Sequence, residues 1–214
     1  MRAALVALCC VACGCVACGP SIPAVEGATP TYPGELIPVA ALPTPDGLGE
    51  AFVMEQRAEF ETPEGHYGFR AVVQRQGDTL TMVGFGPGGR RAFTLVQEDA
   101  EVTYTSQMPR ELPFPPRFML LDVQRVYFQG LPGPQVDGEH RAEARGEAIV
   151  ETWRDGRLRR RRFTRLDGAP EGVIDIDYGE GLGGGAPPPR RVTVDNGWFG
   201  YHLTLTTLRH QTLE

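Results

Sequence analysis

From Ala51 onward apolar and polar side chains alternate with a period of two, the signature of strands with one face on a core and one in water. Tyr67, Phe69, Ala71 and Val73 alternate with Gly68, Arg70, Val72 and Gln74, and Gly77-Asp78 then turns the chain into Thr79–Phe85. The turn Gly86-Pro87-Gly88-Gly89 leads to Ala92–Val96, and an acidic turn leads to Glu101–Thr105. Strands that follow one another at such short spacing predict an antiparallel meander.

Leu112 to Phe128 breaks this pattern. Pro113, Pro115 and Pro116 precede Arg117-Phe118-Met119-Leu120-Leu121-Asp122-Val123-Gln124-Arg125-Val126-Tyr127-Phe128. Proline is tolerated in a first helical turn, and a run that is apolar nearly all round suits a buried helix. A buried strand pair is the alternative. Gly130 to Gly138 predicts a loop, and strands resume at Ala144–Arg154, Arg157–Leu166, Val173–Tyr178, Arg190–Val194 and Tyr201–Leu208, with Gly179 to Pro189 as a further loop. The expected fold is mostly β with one helix (α+β). It is a single curled antiparallel sheet of about nine or ten strands, an incomplete barrel whose concave face the helix covers.

The region before the strands has a different character. Met1-Arg2 is followed by an apolar run to about Ala17 and small residues, the pattern of a signal peptide. The run is short of the roughly 20 apolar residues that a spanning helix needs. All five cysteines (Cys9, Cys10, Cys13, Cys15 and Cys18) fall here, and none follows Gly19. A disulfide-stapled domain would keep cysteines downstream. A structural zinc site wants spaced pairs on folded turns. A cysteine that becomes a lipid-bearing N-terminus accounts for the distribution, with Cys18 after Val16-Ala17 favoured, Cys13 second, Cys15 third, and ordinary cleavage near Ala17 as the other reading. Residues 1–17 are therefore expected to be a lipoprotein signal peptide, 18–47 a lipidated Pro/Gly/Ala-rich tether, and 48–214 the folded domain. Pro20, Pro23, Pro30, Pro33, Pro38, Pro43 and Pro45 favour extended chain in the tether, whose last part, from about Leu36, can pack on the domain. The residue after Cys18 is Gly19 rather than an inner-membrane-retaining Asp, so the expected location is the periplasmic face of the outer membrane.

Composition narrows the functions. The net charge is −6, which argues against general nucleic-acid binding. All 21 basic residues are arginine. The sequence contains no Gly-x-Ser-x-Gly elbow and no Walker or dinucleotide glycine motif, and Gly183-Gly184-Gly185 runs into prolines as a linker. His66, His140, His202 and His210 stand apart, without the partners of a metal site. Asp175 and Asp177 share one strand face, where a solvated face is the simpler reading than acid/base chemistry. No catalytic residue, metal or cofactor is expected. The run Arg157-Leu158-Arg159-Arg160-Arg161-Arg162 is the most unusual feature. On a regular strand Arg157, Arg159 and Arg161 point one way and Leu158, Arg160 and Arg162 the other. This suggests a charged edge that deters aggregation, with Arg157, Arg159 and Arg161 as candidate contacts to anionic groups and Asp155 and Asp167 as neutralising neighbours.

Gly89-Arg90-Arg91-Ala92-Phe93-Thr94-Leu95, then Leu112-Pro113 with Arg117-Phe118-Met119-Leu120-Leu121-Asp122-Val123-Gln124, then Gly200-Tyr201-His202-Leu203-Thr204-Leu205-Thr206-Thr207 resemble the domain-of-unknown-function 3261 family of bacterial lipoproteins, over about residues 50–208. More distantly the order of elements is similar to the lipoprotein carriers LolA and LolB, and the Gly86–Gly89 turn to its counterpart in LolB. The resemblance implies an incomplete barrel whose apolar cavity accepts acyl chains. It implies a non-enzymatic envelope lipoprotein that binds or transfers a lipid or lipoprotein acyl chain. Phe69, Met82, Phe93, Leu95, Met119, Leu120, Val123, Tyr201 and Leu203 would line the cavity. The protruding apolar residue with which LolB engages the membrane has no counterpart in the short polar Gly86–Arg90 turn. The alternative is an assembly or scaffold lipoprotein with a filled core and a protein partner.

Overall fold

The computed structural model describes residues 42–63, 65–108, 115–132, 136–183 and 187–213. The expected signal peptide, Cys18 and most of the expected tether lie outside the described residues. Eleven strands follow a 3-10 turn at Pro45–Leu48: β1 Phe52–Thr62, β2 Gly65–Gln76, β3 Thr79–Phe85, β4 Arg91–Glu98 and β5 Glu101–Ser106, then helix α1 Arg117–Tyr127, then β6 Gly138–Ala144, β7 Glu147–Arg154, β8 Arg157–Arg165, β9 Val173–Leu182, β10 Arg191–Asn196 and β11 Tyr201–Thr212. They form one antiparallel sheet in the order β5-β4-β3-β2-β1-β11-β10-β9-β8-β7-β6. Each half is a meander, and the two meanders join where β1 pairs with β11.

Two-residue turns set the registers. Gly77-Asp78, Asp99-Ala100, Arg145-Gly146 and Asp155-Gly156 connect their strand pairs. Both residues of the last two turns take positive φ (Arg145 54°, Gly146 75°, Asp155 54°, Gly156 65°). That is the backbone hand which matches strand twist.

The sheet is curled, and α1 lies in the curl. β4 and β7 are eight strand spacings apart in the sheet order, so a flat sheet would separate them by about 38 Å. Yet Gln124 Nε2 donates to Gln97 Oε1 of β4 at 2.8 Å, while its neighbour Arg125 donates through Nη2 to Glu147 Oε1 of β7 at 2.6 Å. One helix can reach both strands only if the sheet wraps around it. The barrel stays incomplete, since β5 and β6 do not pair. Every residue from Phe118 to Val126 is buried, which is the burial that a run apolar nearly all round demands.

Three sequence expectations change. The segment read as a loop running into one strand at Ala144 contains a separate strand, β6. Its burial is slight along its whole length, because it is an edge strand and needs no apolar face. Strand β9 continues past Tyr178 through Gly179 to Leu182 instead of ending in a loop. On β8 the alternation of the arginines breaks. Thr152 faces Arg160 but Trp153 faces Leu158, so Arg159 is an extra, bulged residue. The inward set is therefore Leu158, Arg161, Phe163 and Arg165. Arg157 and Arg159 do not share the inner face with Arg161.

Candidate functional site

α1 runs from the end of the half-barrel that holds the β10–β11 turn to the end that holds the start of β1. At the first end described side chains pack against one another. The rings of Phe118 and Phe199 stack at 4.4 Å. Asp122, on the helix, accepts a hydrogen bond from the Tyr201 hydroxyl, which in turn accepts one from Asn196 Nδ2 at 2.8 Å. Burial pushes the Asp122 carboxyl up to about 6, against the opposing effects of Arg125 and the Tyr201 bond. Burial, and then the Asp122 charge, push the Tyr201 phenol well above its usual value.

At the other end a cavity of about 360 Å³ remains. Phe52 and Met54 of β1, Trp153 and Glu151 of β7, and Leu158 and Arg161 of β8 form its inner part. The segment leaving α1 (Tyr127, Phe128, Gly130, Leu131), the end of β9 (Leu182, Gly183), Pro188 and His210 form its rim. Met54, Glu151, Leu158 and Arg161 are buried, whereas Phe128, Leu131, Leu182, Pro188 and His210 are partly exposed. The β8–β9 pairing is irregular beside the cavity, between Leu158 and Arg160. Gly181 makes this possible: its φ is +93°, and a Cβ there would lie 2.7 Å from that of Arg157.

The polar floor is a built structure. Arg161 Nε donates to Glu151 Oε1 at 2.8 Å, and Arg161 Nη1 donates to the Arg125 and Val126 carbonyls at 2.6 and 3.3 Å. These are orphan carbonyls of the last helical turn, so the arginine caps α1. Glu151 also accepts from Trp153 Nε1 at 2.9 Å and from the Leu131 amide at 3.1 Å. Tyr178 donates to the Val126 carbonyl at 2.7 Å, and burial pushes its phenol up in pKa. Gln56 Nε2 donates to the Tyr127 hydroxyl at 2.5 Å. Burial raises that phenol to about 12, partly offset by the bonds to Gln56 and Thr207. His210 stacks on Phe52 with ring centroids 6.1 Å apart, and desolvation lowers its pKa.

The nine residues expected to line a cavity stand elsewhere. Met82, Phe93, Leu95, Met119, Leu120, Val123, Tyr201 and Leu203 are buried in the core between sheet and helix, and Phe69 packs against it. None is among the residues lining the described pocket. Among the three arginine candidates, Arg161 lies in the pocket wall. Arg159 pairs with Asp155 at 3.6 Å and donates to the Gly179 carbonyl, and Arg157 is exposed beside the Gly181 carbonyl. Asp175 is held by Arg160 and Arg162 on the outer face. Burial pushes its carboxyl up, but the two arginines prevail and hold it below its usual value. Asp177 accepts the Gly179 amide at 2.7 Å. Among the described residues no cluster of His, Cys, Asp and Glu has the makings of a metal site, and no helix is long and apolar enough to cross a membrane.

Sequence reasoning passed over the glutamate. Glu147, Ile149, Glu151 and Trp153 share one strand face by their even spacing. Two carboxylates on an otherwise apolar face, one hairpin turn from an arginine run, are the available signal. In the structure Glu151 faces Arg161 and Glu147 faces Arg165 across the β7–β8 pair.

Comparison with solved structures finds similarity to a LolA superfamily protein from Nitrosomonas europaea, at 12% identity and a TM-score of 0.46 over 84% of this chain and 92% of that one. A domain described as an outer membrane lipoprotein-sorting protein from Vibrio parahaemolyticus gives 12% identity and a TM-score of 0.47 over 77% and 87%. A DUF1329 family protein from Desulfovibrio piger gives 12% and 0.33 over 76% and 85%. No curated protein matches the chain. The model of the family described as Protein of unknown function (DUF3261) matches residues 53–209, and the chain belongs to that family.

Proposed function

We propose that this protein is a non-enzymatic envelope lipoprotein that binds or transfers a lipid or acyl chain. On this reading Cys18 carries the anchor and the domain works on the periplasmic face of the outer membrane. The observation that carries the reading is the pocket: about 360 Å³ of space at one end of the half-barrel, where apolar and aromatic side chains surround the Arg161–Glu151 pair. That volume lies at the lower end of the range of about 300–1,000 Å³ for ligand sites. It suits a single chain. Burial of such a chain is favourable by about 25 cal/mol per Å² of apolar surface. Phe52, Met54, Phe128, Leu131, Trp153 and Leu158 replace the nine core residues as the proposed contacts.

Native mass spectrometry of the chain isolated from a bacterial envelope tests this. A reproducible added mass matching a lipid is expected. A bare mass, with no uptake of added acyl lipids, contradicts it.

A second reading has one observation in its favour. The core under α1 is packed by its own side chains, and among the described residues the sheet ends in two edge strands, β5 and β6, each paired on one side only. An edge strand can accept a strand from a protein partner. Cross-linking from β6 in intact envelopes would capture a defined protein if this reading holds.

A further inference from the structure

The last residues of the expected tether are part of the fold. Leu42 and Leu48 are buried in the core. The Pro43 carbonyl accepts from Gln97 Nε2 of β4 at 2.8 Å and from Gln124 Nε2 of α1 at 3.2 Å. Arg75, near the end of β2, donates through Nε to the Pro45 carbonyl at 2.9 Å and through Nη1 to the Gly49 carbonyl. Arg75 stands in register with Phe52 of the pocket, and Gln124 is in the last turn of α1. This strap therefore sits at the end of the half-barrel where the pocket opens, and its docking fixes where the chain toward Cys18 leaves the domain. The 23 residues between Cys18 and Leu42 span at most about 80 Å. That reach leaves the domain free to turn, so the surface it presents decides how it lies on a membrane.

Two features mark the surface at that end. Apolar side chains come to the surface around the pocket: Phe128, Leu131, Leu182 and Pro188 are partly exposed at its rim, and Val136 is 52% exposed. Val136 belongs to the same end, because its neighbour Asp137 accepts from the Asp155 and Gly156 amides of the β7–β8 turn at 2.9 Å. Arginine gathers on the same strand ends. Arg154, Arg157, Arg190, Arg191 and Arg209 are exposed there, against Asp137, Asp155 and Glu180. The turns on the strap's side carry the opposite charge, with Asp78, Glu98 and Asp99 exposed. That asymmetry orients the arginine side, and the pocket mouth with it, toward an anionic surface.

Resting on the reading of Cys18 as a lipid anchor, we propose that the pocket mouth is the face by which the domain docks on an anionic bilayer. Arg157 and Arg190 meet the headgroups, and Phe128, Leu131 and Leu182 rest at the boundary between headgroups and acyl chains. The strap brings the tether out on the docked side, so anchor and mouth share one bilayer. An acyl chain then passes between bilayer and pocket without exposing its methylenes to water, which is unfavourable in proportion to the apolar area exposed.

No cysteine follows Cys18 in the sequence, so a single cysteine placed in the domain reports alone. Val136→Cys and Leu166→Cys form a matched pair. The two native side chains are 52% and 51% exposed, and Leu166 lies at the opposite end, its amide donating to the Gly146 carbonyl of the β6–β7 turn at 3.0 Å. The full lipidated chain, labelled at one or the other with nitrobenzoxadiazole, is reconstituted in phosphatidylethanolamine–phosphatidylglycerol vesicles that contain a lipid with a nitroxide on its headgroup. Quenching at position 136 is expected to be several-fold stronger than at 166. Arg157→Gln combined with Arg190→Gln is expected to lower the ratio of docked to undocked domain roughly 25-fold and so to remove the difference. Equal quenching at the two positions, or stronger quenching at 166, overturns the docking face while leaving lipid binding in the pocket intact. A difference unchanged by the two arginine substitutions overturns the headgroup contacts. A mature chain whose mass shows no acyl groups on Cys18 contradicts the anchor reading, and the docking face falls with it.

Discussion

The inner and outer faces of β8 use the same chemistry with opposite consequences. On the outer face Arg160 and Arg162 share Asp175, with the two arginine side chains about half exposed (52% and 43%). On the inner face Arg161 and Glu151 are 4% and 2% exposed. Water competes for the outer groups and screens them, so their pairing contributes little to stability. The inner pair, although it lines the pocket, is almost wholly removed from water. Its partners are the helix carbonyls, the Trp153 indole and each other, and removing one leaves the other charged and dry. A strand whose composition reads as uniformly basic is thus half solubilising surface and half structural clasp.

The comparison can be broken most severely from the inside. Glu151→Ala leaves the Arg161 guanidinium buried without its counter-charge. It is expected to destabilise the protein by about 3–5 kcal/mol, read as a lower midpoint in urea unfolding at an unchanged slope. A second inner charge sharpens the point through pH. The Asp122 carboxyl sits at about 6 in the folded chain, against 3.8 in the unfolded one, because burial disfavours its charge. Between those values the folded state holds a proton that the unfolded state has released. The protonated carboxyl's contribution is therefore complete below about pH 4 and is lost as pH rises through 6, a change of about 3 kcal/mol. Asp122→Asn is expected to flatten that slope when unfolding free energies of the two proteins are compared across the window; parallel curves would show that Asp122 does not titrate there. The outer face should respond least. Asp175→Asn is expected to cost about 1 kcal/mol or less, with the difference shrinking further in high salt. A loss near that of Glu151→Ala would erase the distinction between the faces.

Much of the architecture was legible because burial leaves a periodic trace. The alternation in Ile174–Tyr178 and in the first part of Tyr201–Leu208 marks strands that lie one face inward, and in Tyr67–Gln74 it does so at Ala71 and Val73, while Tyr67 and Leu208 are exposed. The run from Phe118 is a helix because the sheet wraps it and asks for apolar residues all round. What escaped was whatever leaves no such trace. Strand β6, Gly-Glu-His-Arg-Ala-Glu-Ala, buries almost nothing and is held by backbone pairing to β7. The bulge at Arg159 inserts one residue, and a single insertion exchanges the faces of everything beyond it.

The site was less legible than the fold, for a related reason. Alternation tells which residues point inward but not whether their partners reach them. Phe93, Leu95 and Leu120 face inward and are buried in the core cluster. Phe52, Trp153 and Leu158 face inward at the end where α1 runs out, and there space remains. Helix length measured against strand length sets where the gap falls, and that depends on the curl of the whole sheet. Buried polar residues such as Gln56, Gln97, Glu147 and Arg125 were hidden because each is acceptable only through a partner distant in sequence.

The central claim is that the end pocket, and not the sealed core, receives an acyl chain. Side-chain NMR of the full chain during titration with methyl decanoate tests it most directly. The account predicts saturable shifts at the methyl groups of Met54, Leu131, Leu158 and Leu182, with those of Met82, Leu95 and Leu120 unmoved. Shifts confined to the core methyls, or none at all at saturating ligand, would contradict it.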